Sequence, residues 1–443
     1  MAISIHDTNA IADLLRYKIR AKNATVAIVG LGYVGLPNAV AKAKEGYQVI
    51  GLDLSADKVA AILEGRSYIE DVDSELLSEL VEKKRLTASN HPRCLASADV
   101  IVICVPTPIN EYKQPDLRFV ESACAEVARH IQEGALVVLE STTYPGTTEE
   151  ILVPMLEEKG FRVGENVFVA YSPERIDPAN KEYGVENTPT VVGGVTQTCG
   201  ELARLYFGQN AVQVSSPKVA EMAKIYENSF RYVNIGFANE MALLCRDMDI
   251  DIWEVINAAS TKPFGFMPFY PSSGVGGHCI PVDPYYLSWK VRSLNLQSRM
   301  IETAGDINCR MPQYTCRRIL EVFNSMKLPV EGRRIFIVGV AYKKDVSDVR
   351  ESPALDLIEG LRQLGARIQI WDNHIKKVHV NGRDYYSVTH NVEEAIREAD
   401  MVVIATDHSD IDYTIIGENA KIIFDTKNVK DELGDISGTY IRL

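Results

Sequence analysis

Two Rossmann-like, doubly wound parallel sheets of the α/β class, joined by a central segment of long helix, are what this sequence predicts. Short apolar runs of strand length alternate with helical stretches in both halves of the chain, which favours parallel sheets with helical crossovers. A Gly-x-Gly-x-x-Gly turn stands between the first such strand and the first helix after it. Between the halves, the stretch from Pro217 to Pro263 repeats apolar residues at helical spacing and contains no further proline.

The first half opens on Thr25-Val26-Ala27-Ile28-Val29, passes into Gly30-x-Gly32-x-x-Gly35, continues as helix to about Gly46 and returns as the strand 48–52, ending at Asp53. A dinucleotide fingerprint has this order: glycines let the backbone approach a pyrophosphate at a helix N-terminus, and an acid about 20 residues on takes the ribose hydroxyls. Tyr33 and Val34 lie within the turn. Asp53 would repel a 2′-phosphate, so NAD is expected rather than NADP. Lys58 is placed either against the adenosine side or as a solvated helix lysine. Further apolar runs at 100–105, 135–140 and 167–171 end respectively in Pro106-Thr107-Pro108, Ser141-Thr142-Thr143-Tyr144-Pro145-Gly146 and Ser172-Pro173-Glu174-Arg175. Ligands of parallel sheets sit beyond the carboxyl ends of the strands, so these three segments are expected to line one crevice.

In the helical stretch 217–260, Val219, Met222, Ala223, Tyr226 and Phe230 form an apolar stripe, while Lys224 and Asn228 lie one turn apart on another face. The second half begins at Arg334-Ile335-Phe336-Ile337-Val338-Gly339, with helix expected at 353–364, a strand at 367–371 ending before Asp372, and later strands at 401–405 and 421–425. It repeats the strand, turn, helix, strand, acid order without the triple glycine. A nucleotide is expected there, without a closely cradled dinucleotide pyrophosphate.

Composition fits a globular protein of two or three domains, with 443 residues, 46% hydrophobic and 24% charged. The eight cysteines, at 94, 104, 124, 199, 245, 279, 309 and 316, include no C-x-x-C pair and no zinc-like grouping with histidine. They read as reduced thiols of a cytoplasmic protein, and no metal is expected. No apolar run approaches the roughly 18 residues of a membrane span, and residues 1–24 carry charges throughout rather than the apolar core of a signal peptide. A formal charge of −13 disfavours nonspecific nucleic-acid binding, so any phosphate site must be built locally from helix N-termini and individual cations.

Gly274-Val275-Gly276-Gly277-His278-Cys279-Ile280-Pro281-Val282-Asp283-Pro284 sets one cysteine on a glycine-rich loop, four residues before a carboxylate. An exposed nucleophile and a buried cysteine beside a glycine turn both fit this segment taken alone. His278 is not expected to serve Cys279 as a base, because neighbours in an extended loop point to opposite sides. Cys104 lies inside an apolar strand, and the remaining cysteines have no catalytic context.

Gly30-Leu31-Gly32-Tyr33-Val34-Gly35, Val105-Pro106-Thr107-Pro108, Ser141-Thr142, Ser172-Pro173-Glu174-Arg175, Lys224-x-x-x-Asn228, Gly276-Gly277-His278-Cys279-x-x-x-Asp283 and Lys343-x-x-x-x-x-x-Arg350-Glu351-Ser352-Pro353 together resemble the ordered motifs of the UDP-sugar 6-dehydrogenases. The resemblance runs from about residue 25 to the last strand. It implies an NAD-binding Rossmann domain at 1–215, a central helical dimerisation domain at 216–315, and a UDP-sugar-binding domain at 316–443. It also implies a homodimer or higher homo-oligomer, and four-electron oxidation of the sugar C6 alcohol to a carboxylate with two NAD reduced.

Attack of Cys279 on the intermediate aldehyde gives a thiohemiacetal, which, unlike the aldehyde, can lose a second hydride to leave a thioester for hydrolysis. The resemblance implies proton transfer and water activation by Glu174 and Asp283, and oxyanion stabilisation by Lys224 and Asn228. It implies that Thr142 holds the water or the nicotinamide. Gly30, Gly32, Tyr33, Val34, Gly35, Asp53, Lys58, Pro106, Thr107, Thr142, Cys279 and Arg350 are then expected at the cofactor. Glu174, Arg175, Lys224, Asn228, Tyr270, Gly276 and Lys343 are expected at the UDP-sugar.

Arg175 directly after Glu174, with the segments 262–271 and 277–286, is similar to the branch that oxidises UDP-N-acetylhexosamines, UDP-N-acetylglucosamine in particular. There the Arg175 guanidinium is expected along the sugar edge, donating to the acetamido carbonyl. Ser272-Ser273 departs from the Gly-Pro of that branch. The alternatives are UDP-N-acetylmannosamine or UDP-glucose as substrate and, in another class, a catalytically silent NAD- or nucleotide-binding module. A two-electron hydroxyacid dehydrogenase would share the fingerprint but has no use for the Cys279 loop.

Overall fold

A computed structural model describes residues 5–69, 72–175, 182–184 and 187–443, and the chain divides into two compact units. The first contains residues 1–227 and 285–295, the second 228–284 and 296–443. The segment 216–315, expected as a central domain, is thus distributed between the two.

The first unit runs α1 (Ile5–Arg20), β1 (Thr25–Val29), α2 (Gly35–Lys44), β2 (Gln48–Leu52), α3 (Ala56–Leu63), α4 (Ser74–Glu82), β3 (Leu86–Ser89), β4 (Val100–Ile103), α5 (Arg118–His130), β5 (Leu136–Leu139), α6 (Val153–Glu157), β6 (Phe168–Tyr171), β7 (Thr190–Gly194), α7 (Gln197–Phe207) and β8 (Ala211–Val214). The eight strands form one sheet in the order β3-β2-β1-β4-β5-β6-β7-β8, parallel throughout except at β6/β7. Strands buried on both faces need no polar alternation, which is why the sequence shows unbroken apolar runs. Val26, Ile28, Val102, Leu136 and Val138 pack on the face covered by α1, α2 and α7. Their neighbours Ala27, Ile101, Ile103, Val137 and Leu139 pack on the face covered by α5 and α6. Each fully buried side chain of this size contributes roughly 1.5 to 3 kcal/mol, so the two faces fix the strand register without help from the loops.

One long helix does not fill 217–260. Helix α8 (Pro217–Asp247) ends where Asp249 turns left-handed (φ 57°), and α9 (Ile252–Ser260) starts afresh with the Asp251 side chain accepting the Trp253 N–H. The Asp-Ile-Asp sequence supplies both a C-terminal stop and an N-cap. Helix α8 begins in the first unit and continues into the second.

In the second unit α10 (Asp283–Arg292) starts, continuing into the first, and is followed by α11 (Arg299–Ser325), β9 (Arg334–Val338), α12 (Pro353–Gln363), β10 (Arg367–Trp371), β11 (Lys377–Val380), β12 (Arg383–Tyr386), α13 (Val392–Glu398), β13 (Met401–Ile404), α14 (Thr414–Asn419), β14 (Ile422–Asp425) and β15 (Thr439–Arg442). Five parallel strands make a sheet in the order β10-β9-β13-β14-β15, with its chain reversal between β9 and β13. The antiparallel hairpin β11–β12 and the edge strand β15 were not foreseen from sequence. Asn239 on α8 donates to Asn308 on α11 at 2.9 Å, and Arg246 pairs with Glu321 at 2.6 Å, joining those two helices inside this unit.

Candidate active-site residues

The three fingerprint glycines have three separate physical reasons. Gly30 turns the chain with φ 92°, and a side chain there would strike the Cys104 carbonyl. A Cβ on Gly35 would overlap the Gly30 carbonyl oxygen, so this glycine is where α2 packs on the turn. Gly32 faces open space, which is the approach a pyrophosphate needs above the N-terminus of α2. Asp53, at the end of β2, accepts the Leu31 N–H at 2.9 Å and the Ser55 N–H at 2.9 Å, which hold its carboxylate at the turn. Lys58 donates to Asp53 at 3.2 Å, so this partly exposed lysine is tied to the acid. These residues fit a bound NAD.

The expected crevice segments follow β4, β5 and β6, which are adjacent in the sheet. Ser141 Oγ donates to the Val105 carbonyl at 2.8 Å, tying the end of β5 to the end of β4 beside half-buried Thr107 and Thr142. Glu174 accepts the Arg175 N–H at 2.6 Å. The Arg175 guanidinium is not left pointing at a ligand: Nε and Nη2 donate to Glu227 at 3.3 and 2.7 Å, and Nη1 donates to the Pro189 carbonyl at 2.6 Å. That network takes three of its five N–H groups and makes it a clamp between the Glu174 segment and α8.

Sequence reasoning missed Glu140, the residue after β5. It is buried in the wall of a cavity of about 540 Å³ that Glu174, Arg175, Asn38 and Lys42 also line. Asn38 Nδ2 and Cys104 Sγ both donate to its Oε2, at 2.7 and 3.0 Å. Burial, and then the nearby charge of Glu174, push the Glu140 carboxyl up to about 8. An acid closing an otherwise apolar strand was the available signal.

Helix α8 is inverted relative to a solvated helix. Lys224 and Asn228 are buried, only 8% and 7% exposed, whereas Val219, Met222, Tyr226 and Phe230 of the apolar stripe face outward. Phe237 and Leu244 extend that outward stripe.

In the second unit the Cys279 loop is held by backbone. Gly277 donates its N–H to the Arg350 carbonyl at 3.0 Å, and a Cβ on Gly276 would meet the Glu351 carbonyl, Tyr342 and Pro353. Val282 and Asp283 donate their N–H groups to the Cys279 carbonyl at 3.1 and 2.8 Å, so the cysteine stands at the entrance to α10. Asp283 is buried and accepts the Asn228 side-chain N–H. Thus the cysteine-to-acid spacing and the Lys224-to-Asn228 spacing, far apart in sequence, lead to one buried pair. The opposed side chains expected for His278 and Cys279 are not found: His278 Nε2 lies 3.4 Å from Cys279 Sγ. Gly277 at φ 88° curls the loop, so the opposed side chains of an extended strand do not apply. Ser272 Oγ donates to the Gly274 carbonyl at 2.7 Å, closing the turn at the Ser272-Ser273 departure, and Tyr270 stacks on Trp253.

Lys343 and Arg350 occupy the segment after β9. Arg350 forms a two-pronged pair with Asp348, with Nη2 to Oδ2 at 2.6 Å. Asp372 differs from its counterpart Asp53: fully buried, it accepts the N–H groups of Val340, Ala341, His374 and Ile375 and a hydrogen bond from His408. An acid so saturated has no oxygen left for a ribose, unlike Asp53.

The chain matches the NAD-binding domain of the UDP-glucose/GDP-mannose dehydrogenase family over residues 24–209, the central domain over 218–310 and the UDP-binding domain over 336–432. It is 34% identical to UDP-N-acetyl-D-glucosamine 6-dehydrogenase of Pseudomonas aeruginosa, covering 93% of this chain and 98% of that one. It is 35% identical to NDP-N-acetyl-D-galactosaminuronic acid dehydrogenase of Ralstonia solanacearum, over 87% and 90% of the two chains. The solved UDP-N-acetylmannosamine dehydrogenase of Pyrococcus horikoshii superposes with a TM-score of 0.84 at 32% identity, over 94% of this chain and 98% of that one. With its NAD fingerprint, its loop cysteine and all three family domains in order, the chain belongs to the UDP-glucose/GDP-mannose dehydrogenase family and is an NAD-dependent nucleotide-sugar dehydrogenase.

Proposed function

We propose that this enzyme oxidises the C6 alcohol of a UDP-N-acetylhexosamine, UDP-N-acetylglucosamine foremost, to the carboxylate through a thioester on Cys279. The observation that carries this reading is the Cys279 loop, set at the entrance to α10 with the buried Asp283–Asn228 pair at the same helix end. A two-electron dehydrogenase has no use for that arrangement. NAD supplies a hydride acceptor twice per sugar.

Glu174 takes the C6 hydroxyl proton as the aldehyde forms. Cys279 then adds to the carbonyl carbon as thiolate, and Lys224 and the second N–H of Asn228 stabilise the oxyanion. After the second oxidation the C6–S bond is a thioester. Asp283, held in place by Asn228, orients the water that cleaves it, releasing the carboxylate and restoring the thiol. His278, in contact with Cys279, exchanges the thiol proton. Thr142 with Pro106 and Thr107 lines the nicotinamide side, and Lys343 and Gly276 hold the UDP-sugar with Tyr270. Arg175 fixes the Glu174 segment through Glu227 rather than grasping the acetamido group.

Support for an N-acetylated sugar is that the relatives above are named for N-acetylated substrates that differ in configuration. The outward apolar stripe of α8 is the face for a homodimer, and the reduced thiols suit the cytoplasm. NADH yield measured across UDP-glucose, UDP-galactose, their N-acetyl analogues and UDP-N-acetylmannosamine tests the proposal. The expected result is about two NADH per sugar, with kcat/KM for UDP-N-acetylglucosamine at least about tenfold above UDP-glucose. One NADH per sugar would overturn the thioester route, and better turnover of UDP-glucose would overturn the substrate.

A further inference from the structure

We propose that the second unit carries a divalent transition-metal site formed by Asp345, His374, His408 and Asp410. The four residues stand on the loops that follow β9, β10 and β13, at the carboxyl edge of the five-stranded sheet. One ligand atom from each lies within 4.8 Å of all the others. His374 Nε2 is 3.4 Å from Asp410 Oδ1, and His408 Nδ1 is 3.9 Å from Asp345 Oδ1.

Orientation separates this group from a chance meeting of polar side chains. His408 Nε2 donates to buried Asp372 at 3.0 Å, which fixes the proton there and turns the Nδ1 lone pair toward the other three residues. A carboxylate behind the far nitrogen is the usual support of a metal-ligating histidine. Asp345 is held by the N–H and Oγ of Ser409, both at 2.7 Å, and Asp410 accepts from Asn373 at 3.1 Å. His374 Nε2 is shielded from solvent and has no hydrogen-bond partner among the described residues. An imidazole nitrogen left in that condition beside two carboxylates is an available ligand.

Two imidazoles and two carboxylates suit zinc or cobalt, whereas magnesium and calcium take all-oxygen sets. Without a metal, His408 Nδ1 accepts the Asp345 N–H at 3.0 Å, so binding exchanges that hydrogen bond for a coordinate bond. The affinity is therefore lower than that of a preformed structural zinc site. The ligands are spread from 345 to 410 with no C-x-x-C or close histidine spacing, so no local pattern marks them in the sequence. Bound metal would link three strand-end loops, the Lys343 segment among them.

The test uses the full-length chain, stripped by chelation and free of NAD and sugar, so its outcome is independent of the dehydrogenase reading. Zinc alone is titrated by calorimetry and cobalt alone by visible absorption. One equivalent per chain, a four-coordinate cobalt spectrum and a metal-dependent rise in Tm are expected. His374→Ala and Asp410→Asn, whose side chains are partly exposed, should each weaken zinc by at least about tenfold while keeping the metal-free Tm. His379→Ala, which removes an exposed imidazole paired with Asp384 on the β11–β12 hairpin, should change nothing. Absence of stoichiometric binding, or equal loss in His379→Ala and His374→Ala, would overturn the site.

Discussion

Glu140 offers a pH signature that no surface group can imitate. In the unfolded chain its carboxyl titrates near the ordinary 4.5; in the folded protein it does so near 8, chiefly because it is buried and next because Glu174 is near. A carboxyl whose folded value is raised contributes stability that is complete below about pH 4.5 and is lost as the pH climbs toward about 8. The interval between the two values, at ~1.36 kcal/mol per pH unit, sets a ceiling of about 5 kcal/mol. Proton retention owed to Glu174 is shared between the two acids, so the single substitution should recover on the order of 2 to 5 kcal/mol. Glu140→Gln keeps an oxygen for Asn38 and Cys104 and removes the titration.

The assay is urea denaturation of both proteins from about pH 5 to pH 9, taking the difference between them so that every other titration cancels. That difference should favour the variant increasingly from about pH 5 upward and level off beyond about pH 8. Parallel profiles would mean that Glu140 is ionised throughout, and the account of a neutral carboxyl in that cavity would fail.

Four further outcomes follow from the same geometry. Cys279→Ser should abolish sustained uronate formation, read as product by chromatography, with a stalled ester detectable by intact mass; full turnover would end the nucleophile assignment. Lys224→Ala should lower kcat by about two to three orders of magnitude with NAD affinity unchanged, and an unaltered kcat would return Lys224 to a structural role. Glu221→Ala strands the Gly146 and Thr148 N–H groups and the Thr148 hydroxyl that its carboxylate accepts, so denaturation should show a loss of about 3 kcal/mol, and a change below 1 would contradict it. Tyr226→Asp with Phe237→Asp should convert a dimer to a single-chain mass in light scattering; a native protein already at 49.2 kDa would remove the interface.

What the sequence made legible lies within single turns and single strands. The Gly30 turn and Asp53 could be read because one strand and one helix carry both, and Cys279 and Asp283 because four residues place the carboxyl at the start of α10. Where a role depends on a partner far along the chain, local reading went astray. Arg175 reads as a substrate contact from its place directly after Glu174, yet its guanidinium is paired with Glu227, 52 residues away. Asp372 repeats the position of Asp53 in its own sheet, but only the folded chain brings His408 behind it and fills its oxygens. The His278 error has a narrower cause: one glycine at φ 88° reverses the side-chain alternation assumed for an extended loop. A motif therefore reports reliably on backbone conformation within its own span. The charge state and availability of its side chains are decided by long-range partners, and the Glu140 titration measures such a partnership directly, because the same glutamate in an unfolded chain would behave like any other.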